Sequence, residues 1–96
     1  MIKNISKTKA QAYLDGGKFK RIMDNINGLG DNADIKHVLI EPHTTFFKWT
    51  NTKDENDYGY CHWADTDKIE AVYNDYGFIT RVIFKYNKFM IIYEKD

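Results

Sequence analysis

The amino-acid sequence predicts an α+β domain: two short N-terminal helices packed on an antiparallel β-sheet, a meander of about five to six strands. Three observations carry that expectation. Phe19, Ile22, Met23 and Ile26 fall at i, i+3, i+4 and i+7, the spacing of one apolar helical stripe. Beyond residue 36 the pattern changes to short runs of β-branched and aromatic residues separated by polar turns. Within that region Asn74, Asp75, Tyr76 and Gly77 suit a type I turn closed by a left-handed glycine, a common hairpin connection.

The first helix is expected over about residues 7–14, capped by Ser6 or Thr8, with Thr8 and Gln11 at capping-box spacing. Ala10, Tyr13 and Leu14 share its apolar face, and Asp15-Gly16-Gly17 stops it because glycine readily takes the left-handed C-cap conformation. A second helix is expected over about residues 18–27, ended by Gly28, with loop over 29–32. Strands follow at 37–41, where Pro42 ends the run or places it at an edge, and at 45–50. Residues 51–57 read as a polar loop with an acidic tip, and 58–63 as the returning strand of a hairpin. Strand 68–73, the turn at 74–77, strand 78–84, a turn at 85–88 and strand 89–93 complete the sheet; a short helix capped at Thr66 is the alternative over 66–73. Both faces of these strands carry bulk, so the second face has to meet a curled continuation of the sheet, a second copy or a partner.

At 96 residues the chain supports one domain, residues 1–96. A domain of this size buries roughly 60–70% of its unfolded surface, which leaves room for one core and little for a deep cavity. Charged residues at 29% and hydrophobic ones at 43% exclude a disordered chain. Cys61 is the single cysteine, so neither an internal disulfide nor a cysteine-based zinc cluster can form, in keeping with a reducing cytoplasm. Neither a signal-peptide run at the N-terminus nor an apolar stretch near ~20 residues is present, so no membrane role is expected.

Net charge is zero but uneven: residues 1–30 hold six bases against two acids, 31–77 four against ten, and 78–96 four against two. Sequence-independent nucleic-acid binding calls for a clearly basic domain, and the acidic middle argues against direct nucleic-acid contact.

The motifs that could carry chemistry are weak. Cys61 and His62 are neighbours on a strand and point to opposite faces, so they cannot act as a nucleophile and its base. His62, Asp65 and Asp67, with His37 and His43, offer nitrogen and oxygen ligands at spacings that match no zinc or calcium signature. Asp15-Gly16-Gly17-Lys18 follows a helix instead of a strand, and Phe19 stands where a phosphate loop needs Ser or Thr. No catalytic residue, metal or cofactor is therefore assigned. Aromatics reach 16%, however, and Trp49, Tyr58, Tyr60 and Trp63 flank the acids Asp54, Glu55 and Asp57. Aromatic rings beside charge of one sign are common in protein interfaces. These seven residues are the expected partner-binding set.

No family motif is matched. In general character the chain is similar to accessory proteins of phages and mobile elements from AT-rich bacteria, anti-CRISPR proteins among them, being short, neutral and rich in Asn, Lys, Ile and Tyr. That resemblance implies a non-enzymatic inhibitor, acting in a host cytoplasm, that blocks a host or anti-phage defence protein such as a basic nucleic-acid-binding enzyme. The alternatives are a metal-dependent hydrolase using His62, Asp65 and Asp67, a nucleic-acid-binding module using Lys18, Lys20 and Arg21, and a homodimer through the second sheet face.

Overall fold

A computed structural model describes residues 1–25, 36–86 and 89–95. One antiparallel sheet of eight strands dominates it. The elements in chain order are β1 (Ile2–Asn4), α1 (Lys7–Leu14), β2 (Lys18–Asn25), β3 (Lys36–Pro42), β4 (Phe46–Asn51), β5 (Asp54–His62), a single 3-10 turn (Trp63–Asp65), β6 (Lys68–Tyr73), β7 (Ile79–Tyr86) and β8 (Phe89–Lys95). Their order across the sheet is β1-β6-β7-β8-β2-β3-β4-β5. Two meanders, β3–β5 and β6–β8, are therefore spliced together by β2, which pairs with β8 on one side and β3 on the other.

The expectation of two helices on five to six strands is corrected here: the described residues hold one α-helix, and residues 18–25 are strand. Two of the apolar residues that suggested a helical stripe, Phe19 and Ile22, lie on opposite faces of a central strand. Phe19 is fully buried beneath the sheet, while Ile22, three residues on, points to the other side and aligns with Ile92 of β8 and, through it, Ile83 of β7. Residues 26–32, which carried the expected helix end and loop, lie outside the described residues, as do 87 and 88 of the last expected turn. The short edge strand β1, paired with β6, was not expected. Residues 66–73 resolve as strand over Lys68–Tyr73. The supposed loop 51–57 is mostly strand: Asn51 pairs with Asp54, and only Thr52 and Lys53 turn the chain.

Local chemistry explains the remaining boundaries. Ser6 caps α1 by accepting a hydrogen bond from the Lys9 amide at 3.1 Å. Gly16, at φ 65°, lets the chain leave the helix sharply, and the Gly16 N–H and Gly17 C=O then clamp Ile40 of β3 at 3.2 and 3.0 Å. The Asn74 turn forms as its sequence predicts: Gly77 has φ 82°, and the Asn74 Oδ1 accepts from the amides of Tyr76 and Phe78. Just after it, Val72 pairs with Arg81 and Tyr73 with Ile79, so Thr80 is an extra residue on β7. That bulge flips the side-chain phase: Ile79 packs against the core and Phe78 is left exposed, the reverse of a regular strand.

The sheet is folded over on itself. Four strand steps separate β4 from β7, about 19 Å on a flat sheet. Yet Phe47 of β4 and Phe84 of β7 have ring centroids 5.1 Å apart, and Trp63 lies 6.0 Å from Phe84. The concave side closes over Phe19, Val38, Ile40, Phe47, Trp63, Val82, Phe84 and Tyr93, and α1 covers one end of the trough with Ala10 and Leu14. Lys7 and Gln11 tie that helix to the β3–β4 turn through the carbonyls of Thr44 and His43. Curling thus supplies a single core from residues the sequence distributes over many strands. Among the described residues no helix is long and apolar enough to cross a membrane.

Candidate functional site

The β4–β5 hairpin forms one border of the sheet, with β5 paired to β4 alone among the described residues. Side chains alternate along each strand, and cross-strand partners share a face. Phe46, Lys48 and Thr50 lie opposite His62, Tyr60 and Tyr58, and these six project from the convex side. Phe46 is the hub: His43 stacks on it at 4.7 Å, Tyr60 meets it edge-on at 5.3 Å, and His62 lies 6.0 Å away. Tyr58 packs edge-on against Tyr60 at 5.9 Å, and the Lys48 ammonium sits 4.9 Å over the Tyr58 ring. Rings that brace one another lose less freedom on binding than isolated ones. Tyr58 and Tyr60 nonetheless remain 51% and 53% exposed, and Asp54 and Glu55 stand exposed at the tip.

The other three expected contact residues face the opposite way. Trp63 is buried in the core against Phe47, its indole N–H donating to the His43 carbonyl at 2.8 Å. Trp49 lies on the concave side, with the Arg21 guanidinium 4.4 Å from its ring and the Lys36 ammonium 5.3 Å away. Gly59 makes room for it, since a Cβ there would stand 2.7 Å from Trp49 Nε1. Asp57 pairs with Lys36 at 2.8 Å and accepts from Asn51 Nδ2 at 3.0 Å. Those hydrogen bonds hold its carboxyl below the usual aspartate range.

Of the expected set, then, Tyr58 and Tyr60 are exposed on the convex face and Asp54 and Glu55 at the hairpin tip, while Trp49, Asp57 and Trp63 build the hairpin from beneath. Sequence reasoning missed Phe46, Lys48 and His43 as parts of that surface. The period-two parity of 46–50 and 58–62 contains the signal for the first two. His43 reaches the patch only through the β3–β4 turn.

Behind the hairpin, Cys61 points inward beside the phenols of Tyr86 and Tyr93 and away from His62, which is exposed. Burial pushes the thiol up, and burial likewise raises both phenols. A thiol in that state is a poor nucleophile. No group of three or more His, Cys, Asp and Glu side chains placed to hold a metal occurs among the described residues. Lys18 and Lys20 alternate in direction with Arg21, which lies inside over Trp49, so the three do not form one basic surface.

The backbone of β5 has a definite phase. The Trp63 amide donates to the Thr45 carbonyl at 3.1 Å, which makes that opposed pair a hydrogen-bonded one. Counting back by twos, Cys61 and Gly59 turn their amides and carbonyls toward β4. Tyr58, Tyr60 and His62 turn theirs toward the open border. The residues that display exposed rings are thus the ones whose backbone groups have no strand partner among the described residues.

Comparison with protein-family models, with curated proteins and with solved structures finds no match.

Proposed function

We propose that this protein is a non-enzymatic interaction module that binds a protein partner through the convex face of its β4–β5 hairpin. The observation that carries the reading is the braced, exposed pair Tyr58 and Tyr60, held over Phe46 and Lys48 and flanked by Asp54 and Glu55. Tyrosines are enriched where interfaces concentrate their binding energy, and rigid rings are suited to it. The acids favour a basic partner and would speed its encounter. A small phage or mobile-element inhibitor that covers a basic host or anti-phage defence protein in the cytoplasm fits these features, and the general resemblance of the sequence supports it.

The test is capture from host lysate with and without nuclease, repeated with the Tyr58→Ser/Tyr60→Ser and Asp54→Asn/Glu55→Gln double variants. One partner should survive nuclease, lose at least ~30-fold in affinity with the tyrosine variant, and bind the acid variant with a slower on-rate and weaker salt dependence. Equal binding by wild type and the tyrosine variant would remove this face from the proposal. Loss of the captured protein with nuclease would move the weight to nucleic-acid binding.

A further inference from the structure

We infer that the β5 border accepts an extended basic segment of the partner as an added ninth strand. The inference rests on the reading of this hairpin as a partner-binding surface and specifies how the partner is held. Three observations converge on it. First, β5 runs for nine residues and among the described residues is paired on one side only, whereas the opposite border, β1, is three residues long. A long unpaired border is a template for strand addition unless charge, proline or a covering element blunts it. Between Tyr58 and His62 the strand has neither proline nor an acidic or permanently charged side chain.

Second, the open backbone groups belong to Tyr58, Tyr60 and His62, by the phase that the Trp63–Thr45 hydrogen bond sets. In an antiparallel addition the incoming residues opposite these three would pair through both N–H and C=O, and their side chains would emerge on the same convex face as the two tyrosines. Backbone pairing would supply affinity, and the tyrosine face would read alternate side chains.

Third, charge selects the occupant. Exposed acids mark both ends of the strand, Asp54 and Glu55 at its start and Asp65 just past its finish, with Lys53 offsetting one of them. Lys48 lies one strand further in, opposite Glu41 of β3. A second copy added antiparallel about Tyr60 would set Tyr58 against His62, but it would also bring Glu55 of each copy toward Asp65 of the other. Like charges directly opposed destabilise strand pairing. A segment with Lys or Arg at both ends and apolar or aromatic residues at alternate central positions satisfies every contact the border offers.

Tyr60 permits a clean test, because its N–H faces away from β4. Tyr60→Pro deletes an outward donor and leaves the β4–β5 ladder in place, while Tyr60→Thr deletes the ring and keeps the donor. Fluorescent nine-residue peptides of alternating Thr and Tyr would be titrated by anisotropy: one ended by Arg, one ended by Glu, and an Arg-ended copy N-methylated at the three amides facing β5. Circular dichroism would check that both variants fold. The Arg peptide should bind wild type, lose several-fold with Tyr60→Thr and at least tenfold more with Tyr60→Pro, and the N-methylated copy should lose binding. The Glu peptide should bind at least tenfold more weakly than the Arg one.

Equal binding of the N-methylated copy, or equal loss with Tyr60→Pro and Tyr60→Thr, overturns strand addition and leaves the wider partner-binding reading intact. Equal affinity for Arg and Glu ends overturns the basic partner. No binding by any peptide at millimolar concentration also overturns strand addition, and the lysate capture with the tyrosine variant then judges the wider reading alone. Dimerisation of wild type that Tyr60→Pro abolishes would make a second copy the occupant and overturn the inference.

Discussion

Asp57 shows how misleading a residue can be before its surroundings are known. In the sequence it is one of three acids at a hairpin tip. In the fold it turns inward, takes hydrogen bonds from Lys36 and Asn51, and anchors a cation that lies over Trp49. Its carboxyl is held below the ordinary aspartate range, so the ionised form contributes stability that is fully present above that range. The contribution is lost as pH falls through the lowered value. Asp57→Asn should therefore be less stable than wild type in urea at neutral pH, and the difference should close in strong acid. A constant difference across that window would mean that the ion pair does not stabilise the fold. Asp54 and Glu55, three and two residues away, are exposed at the tip. Lys36 and Asn51, not parity, set Asp57 apart: Glu55, two residues earlier on the same strand, is exposed, and only the placed partners show which acid belongs to the scaffold.

At the scale of the element, β5 is set by close packing as much as by pairing. Gly59 sits under the Trp49 ring, and Gly59→Ala would drive a methyl group into the indole. Trp49 cannot simply swing aside, with Arg21 and Lys36 stacked over it. The substitution should cost about 1–3 kcal/mol in urea unfolding, and Trp49→Leu in the same chain should recover part of the loss. No loss in the single variant would show that the hairpin yields at this point. Elements such as β3, β4, β6 and the Asn74 turn were legible because their cues are local: β-branched runs, a proline stop and a turn whose side chain satisfies its own backbone. For β2 the local cue misled. Phe19, Ile22 and Met23 fit a helical stripe, yet the strand is chosen by partners about seventy residues away in sequence, Phe19 pairing with Lys95 and Ile22 with Ile92. A propensity difference of a few tenths of a kcal/mol per residue does not withstand a seven-residue ladder to β8 and a four-residue ladder to β3. Likewise, the sequence placed Trp49 and Trp63 beside the tyrosines in the chain and could not show that the curled sheet draws them beneath.

For the whole molecule, the splice of β2 between β8 and β3 means that the core cannot close until the N-terminal and C-terminal parts of the chain have met. Chains dominated by non-local pairing fold slowly. Stopped-flow refolding followed by tryptophan fluorescence should give a dominant phase on the order of milliseconds to seconds. Microsecond folding would contradict a transition state that requires the β2–β8 pairing. The curl that makes the core possible also gives the sheet two very unequal borders. Polymer chemists count the reactive ends of a monomer, because one with two compatible ends grows a chain and one with a single end stops it. With a nine-residue strand at one border of the described sheet and a three-residue strand at the other, the proposed strand addition would give this molecule a functionality of one. If β5 takes a partner strand as proposed, the molecule would terminate a growing sheet without extending it, and its complexes should stay closed and one-to-one at the high concentrations where open-edged sheets become fibres.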